Sequence, residues 1–132
     1  MITEAMQAAM QGVIPSVIVT CDAAAIPNAT VISQVYYVDE THVAISNQFF
    51  SKTHKNLAVN PRATVQIVDP SDATPYVLEV RYVRTETDGE VFENMAMQLE
   101  VIASMSGMSD IFKLSACEIL EVTSVTRLDA FR

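Results

Sequence analysis

The sequence predicts a mainly β protein, an antiparallel barrel of six strands with helices plugging its ends. Three observations predict it. Six short runs rich in β-branched and aromatic residues are bounded by Asp, Asn, Gly and Pro. Apolar residues recur at helical spacing in three places only, and these do not alternate with the strands as the crossovers of a doubly wound sheet would. The chain has 132 residues, half of them apolar, which suits one core; residues 1–132 are therefore expected to form a single domain.

The elements follow in order. Thr3 can cap a short helix in which Met6, Ala9, Met10 and Val13 share a face, and Gly12 with Pro15 stops it. Val17–Cys21 is a continuous β-branched run. The turn-like stretch Asp22 to Asn28 joins it to a second strand, Ala29 to Val38, so the two form a hairpin. Asp39-Glu40-Thr41 leads tightly into a third strand, His42 to Asn47. Gln48-Phe49-Phe50 reads as a loop, after which Ser51 or Thr53 can cap a helix that runs to Val59 and stops at Asn60-Pro61. Arg62 to Asp69 and Tyr76 to Thr85 are the fourth and fifth strands, separated by the turn Pro70-Ser71-Asp72. Asp88-Gly89-Glu90 opens a helix with Phe92, Met95, Ala96, Leu99, Ile102 and Ala103 on its apolar face, ending near Gly107. Ala116 to Val125 is the last strand.

Composition narrows the function. The net charge is −8, which repels nucleic acid and anionic membranes over most of the surface, so neither is expected as a partner. No apolar run reaches the ~18 residues of a membrane span, and the first cation is Lys52, so no basic leader precedes the first helix; a cytoplasmic location is expected. Cys21 and Cys117 are isolated, with no Cys-x-x-Cys pattern; a disulfide, a metal site and a nucleophile stay open, beside the simpler reading as two small buried apolar side chains. His42 and His54 are too few for a metal site, and His54 reads as a surface imidazole on a helix. With 3 Gly in the chain, no Gly-rich nucleotide loop and no hydrolase elbow occurs. The 7 Met and the overall apolar composition favour burial of some surface between subunits.

One stretch departs from the acidic background. Between Thr41 and Val68 there is no carboxylate, while Lys52, Lys55 and Arg62 supply +3; the rest of the chain therefore carries −11. These cations lie where a strand gives way to a helix N-terminus, itself favourable to anions. The pattern reads as a phosphate-binding corner.

From about residue 13 to residue 126, the element order and several strings resemble the pyridoxamine 5'-phosphate oxidase-like FMN-binding split-barrel family. The best string is Ser51-Lys52-Thr53-His54-Lys55-Asn56-Leu57-Ala58-Val59-Asn60-Pro61-Arg62-Ala63, similar to the family segment whose basic and hydroxyl groups hold the FMN phosphate. Pro27-Asn28-Ala29-Thr30-Val31-Ile32-Ser33-Gln34 resembles the strand that runs along the flavin ring; Thr30 stands where the family has an Arg on the phosphate. Lys52-Thr53 stands where Arg-Lys is common. Ser46 followed by Asn47 matches the hydroxyl position that ends the preceding strand. The family's C-terminal Arg-x-His and closing Arg-Leu-x-Pro are missing, since no His follows His54 and the chain closes Arg127-Leu128-Asp129-Ala130.

The resemblance implies a six-stranded antiparallel split β-barrel with flanking helices, a homodimer, and FMN as cofactor. The implied cofactor-binding residues are Thr30, Val31, Ile32, Ser33, Ser46, Asn47, Ser51, Lys52 and Thr53. The expected function is an FMN-dependent oxidoreductase acting on a small molecule other than pyridoxamine phosphate, the alternative being a non-catalytic flavin- or small-ligand-binding dimer. No residue is assigned a catalytic role.

Overall fold

The computed structural model describes residues 1–32, 34–47, 52–105 and 114–128, the side chains of 102–104 excepted. The order is α1 (Glu4–Met10), β1 (Ser16–Cys21), β2 (Pro27–Ile32), β3 (Tyr36–Asp39), β4 (His42–Asn47), α2 (Lys52–Val59), β5 (Arg62–Val68), β6 (Pro75–Glu86), α3 (Glu90–Met105) and β7 (Ala116–Arg127). Seven strands stand where the sequence predicts six, because the run Ala29–Val38 breaks in two. Val35 leaves the ladder: its N–H donates to the Met10 carbonyl at 2.9 Å and its side chain is buried, so α1 claims the backbone that a continuous strand would need. The break sends β2 and β3 to opposite edges of one open antiparallel sheet, ordered β2-β1-β5-β6-β7-β4-β3.

Alternation along the strands builds two clusters. Val43 and Ile45 of β4, Leu78 and Val80 of β6, and Leu120 and Val122 of β7 point into the larger one, with Ile18, Val65, Ile67 and Leu57. Ala44, Cys117 and Ile119 face the other way, against Tyr36 and Met95 of α3. Covering both faces explains why β7 is buried continuously from Ala116 to Leu120. Each Leu or Ile fully removed from water contributes about 1.5–3 kcal/mol.

Thr3 caps α1 as the sequence predicts, its Oγ1 accepting from the Met6 N–H at 3.4 Å, and Met6, Ala9 and Met10 are buried. Val13 lies beyond the helix and is 72% exposed, because Gly12 at φ 80° has already turned the chain. On α3, Met95 is buried and Val91 and Phe92 pack beside it. Met97, Val101 and Met105 lie exposed. The predicted end near Gly107, the side chains of Ile102 and Ala103, and the loop Gln48-Phe49-Phe50 lie outside the described residues.

Two β-bulges shift the pairing of β6 with β7. In the second, Tyr82 pairs with Leu120 and Arg84 with Ile119, leaving Val83 as an extra residue on β6. Side-chain parity therefore changes there, and Tyr82 and Thr85, three apart, come to the same face.

Candidate functional site

Helix α2 carries the basic island. Its first turn holds no acidic residue, so the positive end of its dipole is not neutralised locally. Asn60 N–H closes the last bond to the Asn56 carbonyl at 2.7 Å before Pro61 stops the helix. The buried face is Thr53, Asn56 and Leu57, at helical spacing. Leu57 enters the main core, and Asn56 Nδ2 donates to Thr20 Oγ1 of β1 at 3.0 Å. Thr53 Oγ1 lies 3.3 Å from Thr30 Oγ1 of β2, which also accepts from Asn28 Nδ2 at 3.1 Å. The helix is thus seated on β1 and β2 by one apolar and two polar anchors.

This geometry gathers some of the sequence-predicted residues and separates others. Thr30 and Thr53, from segments 23 residues apart, meet at the start of α2. Lys52 beside them is exposed and forms no ion pair with a described residue. Ile32 packs against the main core, whereas Val31 lies 69% exposed on the opposite face of β2 from Thr30. Ser46 alternates with Ala44 and pairs with Cys117, which puts it on the α3 side of β4; Asn47 takes the α2 side. Ser33 and Ser51 lie outside the described residues. The mutual bond uses one hydroxyl hydrogen, so the corner offers the other O–H of the Thr30–Thr53 pair, the Lys52 ammonium and the first-turn amides of α2, donors of the kind a phosphate takes.

Next to this corner lies a polar network that the sequence reading missed. Glu118 of β7 is 1% exposed and points with Leu120 and Val122 toward the interior. Its Oε1 accepts from Asn47 Nδ2 at 3.1 Å and meets His54 Nδ1 at 2.5 Å, while its Oε2 accepts from Thr85 Oγ1 at 2.5 Å. Tyr82 Oη is 2.5 Å from Thr85 Oγ1 and extends the chain. Every donor needed to keep a buried carboxylate satisfied comes from a different element: β4, α2 and β6. Because Nδ1 faces a carboxylate, that nitrogen carries the imidazole proton. The readable signal is Glu118 itself, a carboxylate at an inward position of an apolar strand, which is rare without partners.

The charges of Glu86 and Glu118 also reach Cys117. Burial first, then these carboxylates, push its thiol up to about 11, so it stays protonated and unreactive at neutral pH. Among the described residues no three His, Cys, Asp or Glu side chains converge as a metal site, and no helix is long and apolar enough to cross a membrane. A groove of about 940 Å3 opens elsewhere, between α1, β3 and α3, lined by Met10, Tyr36, Tyr37, Met95 and Gln98 among others.

An open antiparallel sheet in this order, with α2 closing one end over the β1–β2 hairpin, defines a split-barrel protein. The chain belongs to the pyridoxamine 5'-phosphate oxidase family, whose model matches residues 2–123. Among solved structures, an FMN-binding protein from Syntrophomonas wolfei subsp. wolfei is similar with a TM-score of 0.79 at 17% identity, over 98% of this chain and 86% of that one. HupZ of Group A Streptococcus is similar at a TM-score of 0.76 and 19% identity, over 98% and 96%. HutZ, a heme storage protein from Vibrio cholerae, gives 0.63 and 15%, over 89% and 88%. At these identities the superpositions show a shared fold. Among curated proteins, none matches the sequence.

Proposed function

We propose that this protein binds FMN, with the flavin phosphate held at the corner where α2 meets β2, and serves as a flavin-dependent oxidoreductase for a small molecule other than pyridoxamine phosphate. The observation that carries the reading is the Thr30–Thr53 hydroxyl pair at 3.3 Å beside exposed Lys52, at a helix start without acidic residues. Family membership and the FMN-binding neighbour support it. Lys52 would supply the point charge, the remaining O–H of the Thr30–Thr53 pair the neutral donor, and the first-turn amides of α2 the dipole. When bound, FMN would supply the redox chemistry, and the chain its placement and electrostatics.

The reading includes a homodimer with the ring at a seam between two copies. Its support is the outer face of β2, where Pro27, Ala29 and Val31 are apolar yet exposed on an edge strand. It also includes a cytoplasmic location, consistent with two cysteines that are both free thiols. A second reading, a non-catalytic flavin- or small-ligand-binding dimer, draws on His54, whose Nδ1 is committed to Glu118.

Titration of the purified protein with FMN, followed by flavin fluorescence, tests the proposal. Lys52→Ala is expected to weaken FMN by about tenfold or more with little change in folding. FAD, heme and a deazaflavin serve as competitors. No retained FMN, or tighter binding of a competitor, sinks the FMN assignment; bound FMN that no electron donor turns over favours the second reading.

A further inference from the structure

We infer that Glu118 is the positioning residue of the phosphate corner, holding the two segments that flank residues 48–51 at a fixed separation; the inference rests on the FMN reading above. Its Oε1 takes Asn47 Nδ2, on the last residue of β4, and His54 Nδ1, in the first turn of α2. One buried oxygen atom thus joins the residue before position 48 to the helical turn that starts at position 52. The carboxylate cannot drift, because Oε2 is held from the opposite side by Thr85, which is itself backed by Tyr82. β7 and β6, the two longest strands, supply this anchorage, so the reference point is the rigid centre of the sheet.

The other side of α2 is fixed by Thr53 to Thr30. Consecutive residues therefore tie the first turn in two directions: Thr53 toward the β2 edge and His54 toward β7. A helix start pinned on two sides presents its amides and Lys52 at one place and angle, which cuts the ordering cost of gripping a small dianion. Two phosphate-side positions that the family fills with cations are Thr30 and Thr53 here, so binding depends on placement of weaker donors more than on charge. Glu118 touches no ligand in this account; it acts through His54 and Asn47.

Comparison of FMN with riboflavin isolates the role, because the two share the ring and differ by the phosphate. Dissociation constants are measured for both ligands in the wild type, in Glu118→Gln, which keeps the side-chain volume, and in His54→Asn, which alters a half-exposed residue. The wild type is expected to prefer FMN, and both variants to lose about tenfold of that preference while riboflavin affinity stays within about twofold. The double variant is expected to lose no more than either single one, since both break the same tie. In the wild type, 15N NMR is expected to find His54 protonated at Nδ1, with that signature altered in Glu118→Gln.

A wild type that binds FMN no better than riboflavin overturns the phosphate reading and this inference together. A wild-type preference that persists in both variants overturns the inference alone. Equal loss of FMN and riboflavin in the variants, with folding intact by circular dichroism, also overturns it, since it marks general damage to the site.

Discussion

Glu118 Oε1 lies 2.5 Å from His54 Nδ1, joining β7 to α2 across 64 residues of sequence. The carboxylate is buried and the imidazole half-exposed, so the pair couples an interior charge to the edge of the candidate site. Such a pair costs desolvation and is strongly destabilising to break from one side.

Removing the carboxylate altogether strands its donors. Glu118→Ala leaves Asn47, His54 and Thr85 without their acceptor and opens a cavity, so a loss of about 3–5 kcal/mol is expected. Urea denaturation checks this through a lower midpoint at unchanged slope. A loss below about 1 kcal/mol would mean that water replaces the carboxylate freely.

The Thr30–Thr53 contact predicts a coupling. Thr30→Val and Thr53→Val each remove one hydroxyl, and a double-mutant cycle is expected to give about 0.5–1.5 kcal/mol between them in the ligand-free protein. Strict additivity would mean that the two hydroxyls meet without stabilising each other.

Cys117 sets a stability trend at alkaline pH. Its folded value is about 11 against an ordinary 9.0. Below pH 9.0 both folded and unfolded chains keep the proton, so nothing changes; from there toward pH 11 the unfolded chain releases it first, and folding weakens. Thermal melts of Cys117→Ala compared with wild type over that window are expected to lack this part of the decline. Iodoacetamide at pH 8 is expected to label half-buried Cys21 well before Cys117.

Ala73 holds φ 60° in the turn between β5 and β6, a left-handed conformation that costs an L-residue about 1–2 kcal/mol. Ala73→Gly is therefore expected to stabilise the protein by about 0.5–1 kcal/mol after the entropy of glycine in the unfolded chain is offset. The same change at exposed Ala8 within α1 is expected to destabilise by about 1 kcal/mol. Opposite signs for one substitution at two positions would be read directly from chemical denaturation.

Much of the fold is legible locally. The cap at Thr3, the stop at Pro61, the hairpin at Asp22 and the strand from His42 to Asn47 follow from residue types that act on their neighbours. The break at Val35 is not local, because it depends on a carbonyl of α1 some 25 positions away, and nothing in Ala29–Val38 signals it. The candidate site divides the same way. Lys52 and the charge segregation around it are visible in the chain, whereas Ser46 and Asn47 exchange faces with a single residue of register. The partnership of His54 with Glu118 is invisible at any short window, since the carboxylate that holds the imidazole lies at the far end of the sequence.

Val83, the supernumerary residue of β6, has a consequence for tolerated change. Deleting it would straighten the strand and leave every pairing beyond it in place, because Tyr82 and Arg84 already face consecutive residues of β7, Leu120 and Ile119, so that Thr85 stays opposite Glu118. Point substitutions at this exposed position are cheap, and so is a shorter chain: Val83 is slack, a place where β6 can lose one residue without any partner across the sheet being exchanged.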